Sequence, residues 1–87
     1  MTKIYIYCLF EKNDVLRGVY SSIKSVHRDA LKICNTGNSQ VYMQSSNGAV
    51  KPTPTILRNI FKGVTDIKIR YYSDDSSATI LKTKLKE

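Results

Sequence analysis

The chain has 87 residues, of which 41% are hydrophobic and 24% are charged. This length predicts one domain over residues 1–87, with a single small core and little room for a deep enzyme cleft. The formal net charge is +7, from 14 Lys and Arg residues against 7 Asp and Glu residues. A charge excess of this size on so small a protein predicts an anionic partner, which can be nucleic acid, an anionic surface or an acidic protein.

The hydrophobic segments are too short for a membrane protein. The longest apolar run, Ile4–Phe10, has seven residues, whereas a spanning helix needs about 20. This run is also too short and too polar for a signal peptide, so we expect a cytoplasmic protein. Cys8 and Cys34 lie within apolar patterns and are predicted to be buried free thiols. One histidine and no CxxC motif predict that no zinc site is present.

The first twenty residues predict a β-hairpin. Lys3 to Lys12 alternates as a strand with apolar residues on both faces, which predicts a central strand of a sheet. Turn residues follow at 11–14, and Val15 to Tyr20 returns as a second strand.

The next segment predicts an amphipathic helix. Ser21 or Ser22 can cap a helix that runs to about Cys34. Gly37 is placed to end it as a left-handed cap. The apolar positions recur at three- and four-residue spacing: Ile23, Val26, Ala30, Ile33 and Cys34.

The second half predicts three strands and a short helix. Two prolines, at 52 and 54, predict extended backbone before a helix that Thr55 would cap. The predicted elements are a strand Gln40–Gln44, a turn at 45–48, a helix Ile56–Lys62, and strands Thr65–Tyr72 and Ala78–Lys86. The resulting β-β-α-β-α-β-β order predicts an α+β fold: a small, mainly antiparallel sheet with two helices on one face.

Positive charge is densest in residues 51–72, which hold five basic residues and one acidic residue. If the last two strands pair, we expect a shared solvent face that carries Lys68, Arg70, Tyr72, Lys82 and Lys84. With Arg58 and Lys62 on the second helix, these residues form the predicted RNA-binding set. Tyr72 is the best candidate for stacking on a base, while the role of Tyr42 stays open. RNA is favoured over DNA because it more often presents unstacked bases.

A second basic stripe and a simpler interpretation accompany this set. Lys24, Arg28 and Lys32 follow i, i+4, i+8 spacing on the outer face of the first helix. Each of these cations can also be an ordinary solvated side chain. Alternating lysines on a final strand can equally protect an exposed sheet edge from aggregation.

Catalytic residues are sparse. His27 is the only histidine, and its position in mid-helix predicts a solvent-facing or core-edge location. Asp74 and Asp75 are the only closely spaced carboxylates, and they lie in a turn. The chain also has no glycine-rich phosphate loop. We therefore predict that the protein is not an enzyme and needs no metal or cofactor.

The strand Lys3–Phe10, the segment Gly18-Val19-Tyr20-Ser21-Ser22 and the helix Ile23–Ile33 resemble small early proteins of T-even-type bacteriophages. Those proteins often combine a hairpin, a G-V-[YF]-S-S segment and a helix with alanine on its inner face. The resemblance covers about the first 40 residues. The short, basic chain with a Tyr-, Lys- and Arg-rich second half is similar to phage inhibitors of type III toxin–antitoxin ribonuclease toxins.

The resemblance implies a phage anti-defence protein that binds RNA in the host cytoplasm and suppresses a host ribonuclease toxin, with RNA in the complex. No diagnostic motif carries functional residues across, so the predicted site rests on the charge pattern. The alternative is a protein-only inhibitor or adaptor that docks on an acidic host protein. Strands with apolar residues on both faces also leave a symmetric homodimer open.

Overall fold

The computed structural model describes residues 4–35, 40–45 and 48–85 of the chain. These residues form one antiparallel sheet of six strands, with two helices packed on one of its faces. The strands are β1 (Tyr5–Glu11), β2 (Val15–Tyr20), β3 (Tyr42–Ser45), β4 (Gly48–Val50), β5 (Ile67–Tyr72) and β6 (Ser77–Lys84). The helices are α1 (Ile23–Cys34) and α2 (Pro54–Phe61). The predicted α+β class is confirmed.

The strand order across the sheet is β2-β1-β6-β5-β3-β4. The first strand is therefore an interior strand, as its two apolar faces predicted. The last strand, β6, is interior too, since it pairs with both β1 and β5. Edge protection by the lysines of this strand is therefore the wrong interpretation, because the edges are β2 and β4.

The core lies between the helices and one face of the sheet. Leu9, Tyr71 and Ile80 point from three adjacent strands toward the helices and are fully buried. From the helices they meet Val26, Ala30, Cys34, Leu57 and Phe61. Because side chains alternate along a strand, the intervening residues lie on the other face, and none of them is buried. We call this surface the open face: Ile6, Cys8, Phe10, Leu16, Val19, Tyr42, Gln44, Lys68, Arg70, Tyr72, Thr79, Leu81 and Thr83.

Helix α1 begins and ends where its sequence predicted. The Ser22 hydroxyl caps it by accepting a hydrogen bond from the backbone N–H of Ser25 at 3.2 Å, and its last residue is Cys34. The predicted Gly37 cap lies outside the described residues. At 12 residues α1 is the longer helix, and no helix in the described part of the chain is long and apolar enough to cross a membrane.

Helix α2 begins earlier than predicted. Its cap is Thr53, whose hydroxyl accepts from the backbone N–H of Ile56 at 3.1 Å; Thr55 lies inside the helix. Pro54 occupies the first helical position, where its missing N–H costs nothing and its fixed φ suits a helix. The prediction of extended backbone is therefore confirmed at Thr53, with φ of −137° and ψ of 156°, and wrong only at Pro54, which is helical. The helix ends at Phe61, one residue before the predicted Lys62.

One strand was missed and other boundaries moved. Strand β4 covers Gly48–Val50 and so includes the last residue of the predicted turn; a Gly-Ala-Val segment is too short to show alternation. Strand β3 lies at Tyr42–Ser45 rather than at Gln40–Gln44. Strand β5 begins at Ile67, because Asp66 adopts a left-handed backbone with φ of 58°. The predicted ends at Lys3 and Lys86 fall outside the described residues.

The two cysteines are free thiols in different environments. Cys34 is fully buried, and burial raises the pKa of its thiol to about 11. Cys8 is only partly buried on the open face, so the prediction of a buried residue is wrong there. Its strand position explains this, since Cys8 lies between the core residues Tyr7 and Leu9 and must point away from the helices.

Candidate nucleic-acid interface

Strand β5 presents three of the predicted RNA-binding residues on the open face. Ile69 and Tyr71 are buried against the helices, so their neighbours Lys68, Arg70 and Tyr72 project to the opposite side. Lys68 and Arg70 are exposed and Tyr72 is partly exposed. The alternation of this strand therefore places these three side chains together, as predicted.

A tyrosine on the neighbouring strand completes a cluster. Tyr42 is paired with Tyr72 across β3 and β5, and the two ring centroids are 6.1 Å apart with planes inclined by 36°. The guanidinium carbon of Arg70 lies 5.9 Å from the centroid of the Tyr72 ring. Tyr42 keeps 38% of its surface exposed. We call Tyr42, Arg70 and Tyr72 the Tyr–Arg cluster. Its exposed rings can stack on bases, and its guanidinium can contact a phosphate.

Acidic residues flank the open face at its two ends but are not among the residues that form it. The open-face strand residues include no Asp or Glu. Asp66, just before β5, accepts a hydrogen bond from the Thr83 hydroxyl at 2.9 Å at one end of the face. Asp74 and Asp75 lie in the turn after β5 at the other end. On the open face, the positive charge that can attract an anion therefore comes from Lys68 and Arg70, in the middle of β5.

The other half of the open face is apolar. It is formed by β1 and the edge strand β2, where Leu16 and Val19 expose 55% and 56% of their surface. Phe10 and Ile6 lie beside them on β1 and are partly exposed. The open face thus changes from apolar at the β2 edge to basic and aromatic at β5 and β3.

Lys82 does not belong to this face, and its predicted position was wrong. It is paired with Ile67 on one side and Tyr7 on the other, so it points toward the helices. Only 8% of its surface is exposed. Its Nζ donates to the backbone carbonyl of Phe61 at 2.5 Å and lies 4.6 Å from the centroid of the Tyr5 ring.

Alternation explains the error at Lys82 and a second one at Lys84. Ala78 and Ile80 are core residues, and the residues two and four positions after Ile80 must share their side of the sheet. Lys84, opposite Tyr5 on β1, is exposed beyond the helices but lies on the helix side. The expected shared face with Lys68 and Arg70 is therefore incorrect for both lysines.

The remaining predicted cations also lie on the helix side. Arg58 and Lys62 are exposed on and just after α2. The stripe on α1 consists of Lys24, Arg28 and Lys32, all of them exposed. Arg28 Nε lies 3.3 Å from Asp29 Oδ1. The structure thus divides the predicted RNA-binding set between two opposite sides of the molecule.

Tyr42 is the member of the cluster that the sequence left undecided. Its neighbour Met43 is fully buried, and alternation alone could have placed Tyr42 toward solvent. Its contact with Tyr72 depends on the pairing of β3 with β5. These strands are separated by β4 and α2 in the chain, and no local pattern specifies that pairing.

His27 lies in the core, which corrects the expectation of a solvent-facing or core-edge residue. It is 7% exposed, and its Nδ1 is 2.7 Å from the Tyr71 hydroxyl. Burial lowers the pKa of this imidazole, so the ring is neutral near pH 7. Within the described residues, no three His, Cys, Asp or Glu side chains are grouped so that they could hold a metal ion.

No family model matches the sequence, and comparisons with curated proteins and with solved structures found no significant match. The resemblance to phage toxin inhibitors therefore stays a prediction, and the functional argument rests on the open face itself.

Proposed function

We propose that this protein binds single-stranded RNA on the open face of its sheet, without catalysing a reaction. The observation that carries the proposal is the Tyr–Arg cluster: two partly exposed rings and a guanidinium meet on the sheet face opposite α1 and α2. Exposed aromatic side chains beside cations are a sequence-tolerant platform for unstacked bases.

Each group has a separate role in this proposal. Tyr42 and Tyr72 stack on bases, and each stacked base contributes about 1–3 kcal/mol to binding. Arg70 and Lys68 contact phosphates along β5, where alternate residues are about 6.8 Å apart. Each phosphate contact releases counterions and adds about −0.7 to the slope of log affinity against log salt. The excess of cations elsewhere on the chain speeds association with any polyanion.

The biological role in the proposal comes from the resemblance. In this proposal, the protein suppresses the ribonuclease toxin of a type III toxin–antitoxin system, and RNA is held in the complex. Co-expression with such a toxin tests this role, since the proposal expects restored growth that a variant without the Tyr–Arg cluster fails to give.

Binding to a labelled single-stranded RNA of mixed sequence, followed by fluorescence anisotropy at two salt concentrations, tests the RNA-binding step. We expect binding that weakens as salt increases, and weaker binding to duplex RNA of the same sequence, because the rings need unstacked bases. Folded protein that binds no RNA at low salt would contradict the proposal.

A second candidate is a protein-only adaptor that docks on an acidic host protein. The exposed Leu16 and Val19 favour it, because an apolar region beside a basic one is typical of a protein-binding surface. The ratio of absorbance at 260 and 280 nm distinguishes the candidates during purification. Nucleic acid that co-purifies and is lost in high salt supports RNA binding, whereas a clean ratio and a stable complex with nuclease-treated host protein support the adaptor.

A further inference from the structure

A pocket of about 330 Å³ opens on the helix side of the molecule, opposite the open face. It lies between α2 and the strands β1 and β6. Its lining includes Tyr7, Arg58, Asn59, Phe61, Lys62 and Lys82. This volume is at the lower end of the range for small-ligand sites, about 300–1,000 Å³.

The pocket concentrates positive charge without a compensating acid. Among the described residues that line it, three are cationic and none is acidic. Lys82 is the least exposed of the three, with 8% of its surface accessible. Within the described part of the chain, its Nζ contacts the Phe61 carbonyl and the Tyr5 ring, and both groups are neutral. Neither of the ion pairs that join described residues includes Lys82. A buried cation with only neutral partners is stabilised by any anion that reaches it.

One wall of the pocket is aromatic. The rings of Tyr7 and Phe61 lie 5.7 Å apart at an angle of 40°. Burial raises the pKa of the Tyr7 phenol, and the nearby charge of Arg58 lowers it by less. The Tyr7 hydroxyl therefore stays protonated and can donate a hydrogen bond. Asn59 adds an amide that can donate or accept.

We infer that this pocket binds the phosphate group of a nucleotide. Arg58, Lys62 and Lys82 hold the phosphate, while the Tyr7–Phe61 wall packs against the nucleoside. A free nucleotide and the phosphorylated end of an RNA strand both present this group. The pocket is separate from the Tyr–Arg cluster, since the sheet lies between them, and the inference does not depend on RNA binding by the open face.

Titration of 15N-labelled protein with adenosine monophosphate, followed by NMR, tests the inference. We expect saturable changes in the amide signals of residues 58–62 and of Lys82, with little change at Lys68 and Arg70. Adenosine, which lacks the phosphate, should cause no comparable change up to about 10 mM, where a millimolar site would be near saturation. Equal responses to both compounds, or no response to either, would overturn the inference.

Two arginine substitutions separate the pocket from a general effect of charge. Arg58→Gln removes an exposed lining cation, and Arg28→Gln removes an exposed cation on α1 that does not line the pocket. We expect Arg58→Gln to weaken the binding of adenosine monophosphate about tenfold or more, because one hydrogen bond to a charged group is lost. Arg28→Gln should change the affinity less than about twofold. Equal losses would overturn the assignment to the pocket.

A variant of the open face distinguishes the two sources of the phosphate. In Lys68→Gln plus Arg70→Gln, the pocket is intact even if binding by the open face is lost. Tighter binding of a 5′-phosphorylated short RNA than of adenosine monophosphate assigns the pocket to strand ends, and the reverse assigns it to free nucleotides. If this variant binds neither, the pocket proposal fails, whatever the unmodified protein does with RNA.

Discussion

The imidazole Nδ1 of His27 lies 2.7 Å from the hydroxyl oxygen of Tyr71 and joins α1 to β5 inside the core. The two rings meet edge to face, with centroids 5.6 Å apart. Tyr71 is fully buried, and burial raises its pKa. Burial also lowers the pKa of His27 below its ordinary value of 6.5. Both groups are therefore neutral in the folded protein near pH 7, and the contact is a hydrogen bond between neutral side chains.

This contact predicts a loss of stability in mild acid. The folded state disfavours the charged imidazole, so the stability that depends on neutral His27 is complete above pH 6.5. It falls as the pH drops below 6.5, because the unfolded chain takes up a proton that the folded chain resists. Thermal unfolding at about pH 7.5 and about pH 5.5 measures the loss. His27→Gln should flatten this dependence, and an equally steep decline in that variant would contradict the assignment to His27.

Asp29 does not obscure this test. Its carboxylate accepts a hydrogen bond from the Tyr20 hydroxyl at 2.7 Å, which holds the pKa of Asp29 below its ordinary value of 3.8. The stability from this carboxylate is present above pH 3.8 and is lost only as the pH falls further. The two groups therefore act in separate pH ranges.

Neighbouring residues of β6 test the assignment of the two sheet faces. Ile80 is fully buried under the helices, whereas Leu81 lies partly exposed on the open face. We expect Ile80→Ala to reduce the free energy of unfolding by about 2–5 kcal/mol, because it leaves a cavity in the core. Leu81→Ala should cost clearly less. Urea unfolding measures both values, and an equal cost would mean that the open face is covered.

The cysteines provide a chemical test of the same geometry. Burial raises the thiol pKa at both positions, to about 11 for Cys34. Because Cys34 is also inaccessible, a thiol reagent should modify Cys8 first in the folded protein. Mass spectrometry after brief labelling should show one modification, and Cys8→Ser should prevent it. Rapid labelling of Cys34 in folded protein would be inconsistent with the core described above.

The salt dependence of RNA binding should distinguish the contribution of the stacking tyrosines from that of the cations. Tyr42→Ala plus Tyr72→Ala should weaken binding by about tenfold or more but leave the salt slope unchanged, because stacking releases no counterions. Lys68→Gln should lower the magnitude of the slope by about 0.7. Tyr20→Phe, on the helix side, is the matched control and should alter neither quantity. The account of the Tyr–Arg cluster fails if the tyrosine pair behaves like this control.

Local patterns were sufficient for much of the fold. Ser22 and the three- and four-residue spacing of apolar positions located α1, and alternation located β5. The helix α2 was displaced because Pro54 was taken as a breaker, although proline is well suited to a first helical turn. Alternation along β6 also puts Lys82 on the same side of the sheet as Ile80, because the two residues are two positions apart. The prediction instead placed Lys82 and Lys84 on the solvent face, whereas Ile80 is a buried residue of this strand.

The remaining features depend on contacts that are distant in the chain. Strand β1 pairs with β6, so Tyr5 lies opposite Lys84. This pairing places the last strand in the middle of the sheet and gives Lys82 its contact with Tyr5. The Tyr–Arg cluster depends in the same way on the pairing of β3 with β5. A single sequence carries no local signal for such pairs, because strand register follows from packing of the whole sheet.

The most direct test of RNA binding by the open face is a comparison of two charge-reversal variants. Lys68→Glu plus Arg70→Glu changes the open face, while Lys24→Glu plus Lys32→Glu changes α1 by the same charge. All four side chains are exposed, so each substitution should alter folding stability by less than about 0.5 kcal/mol. We predict that anisotropy with single-stranded RNA shows abolished binding for the open-face variant and a much smaller loss for the α1 variant. Equal losses, or a larger loss for the α1 variant, would contradict the assignment of RNA binding to the open face.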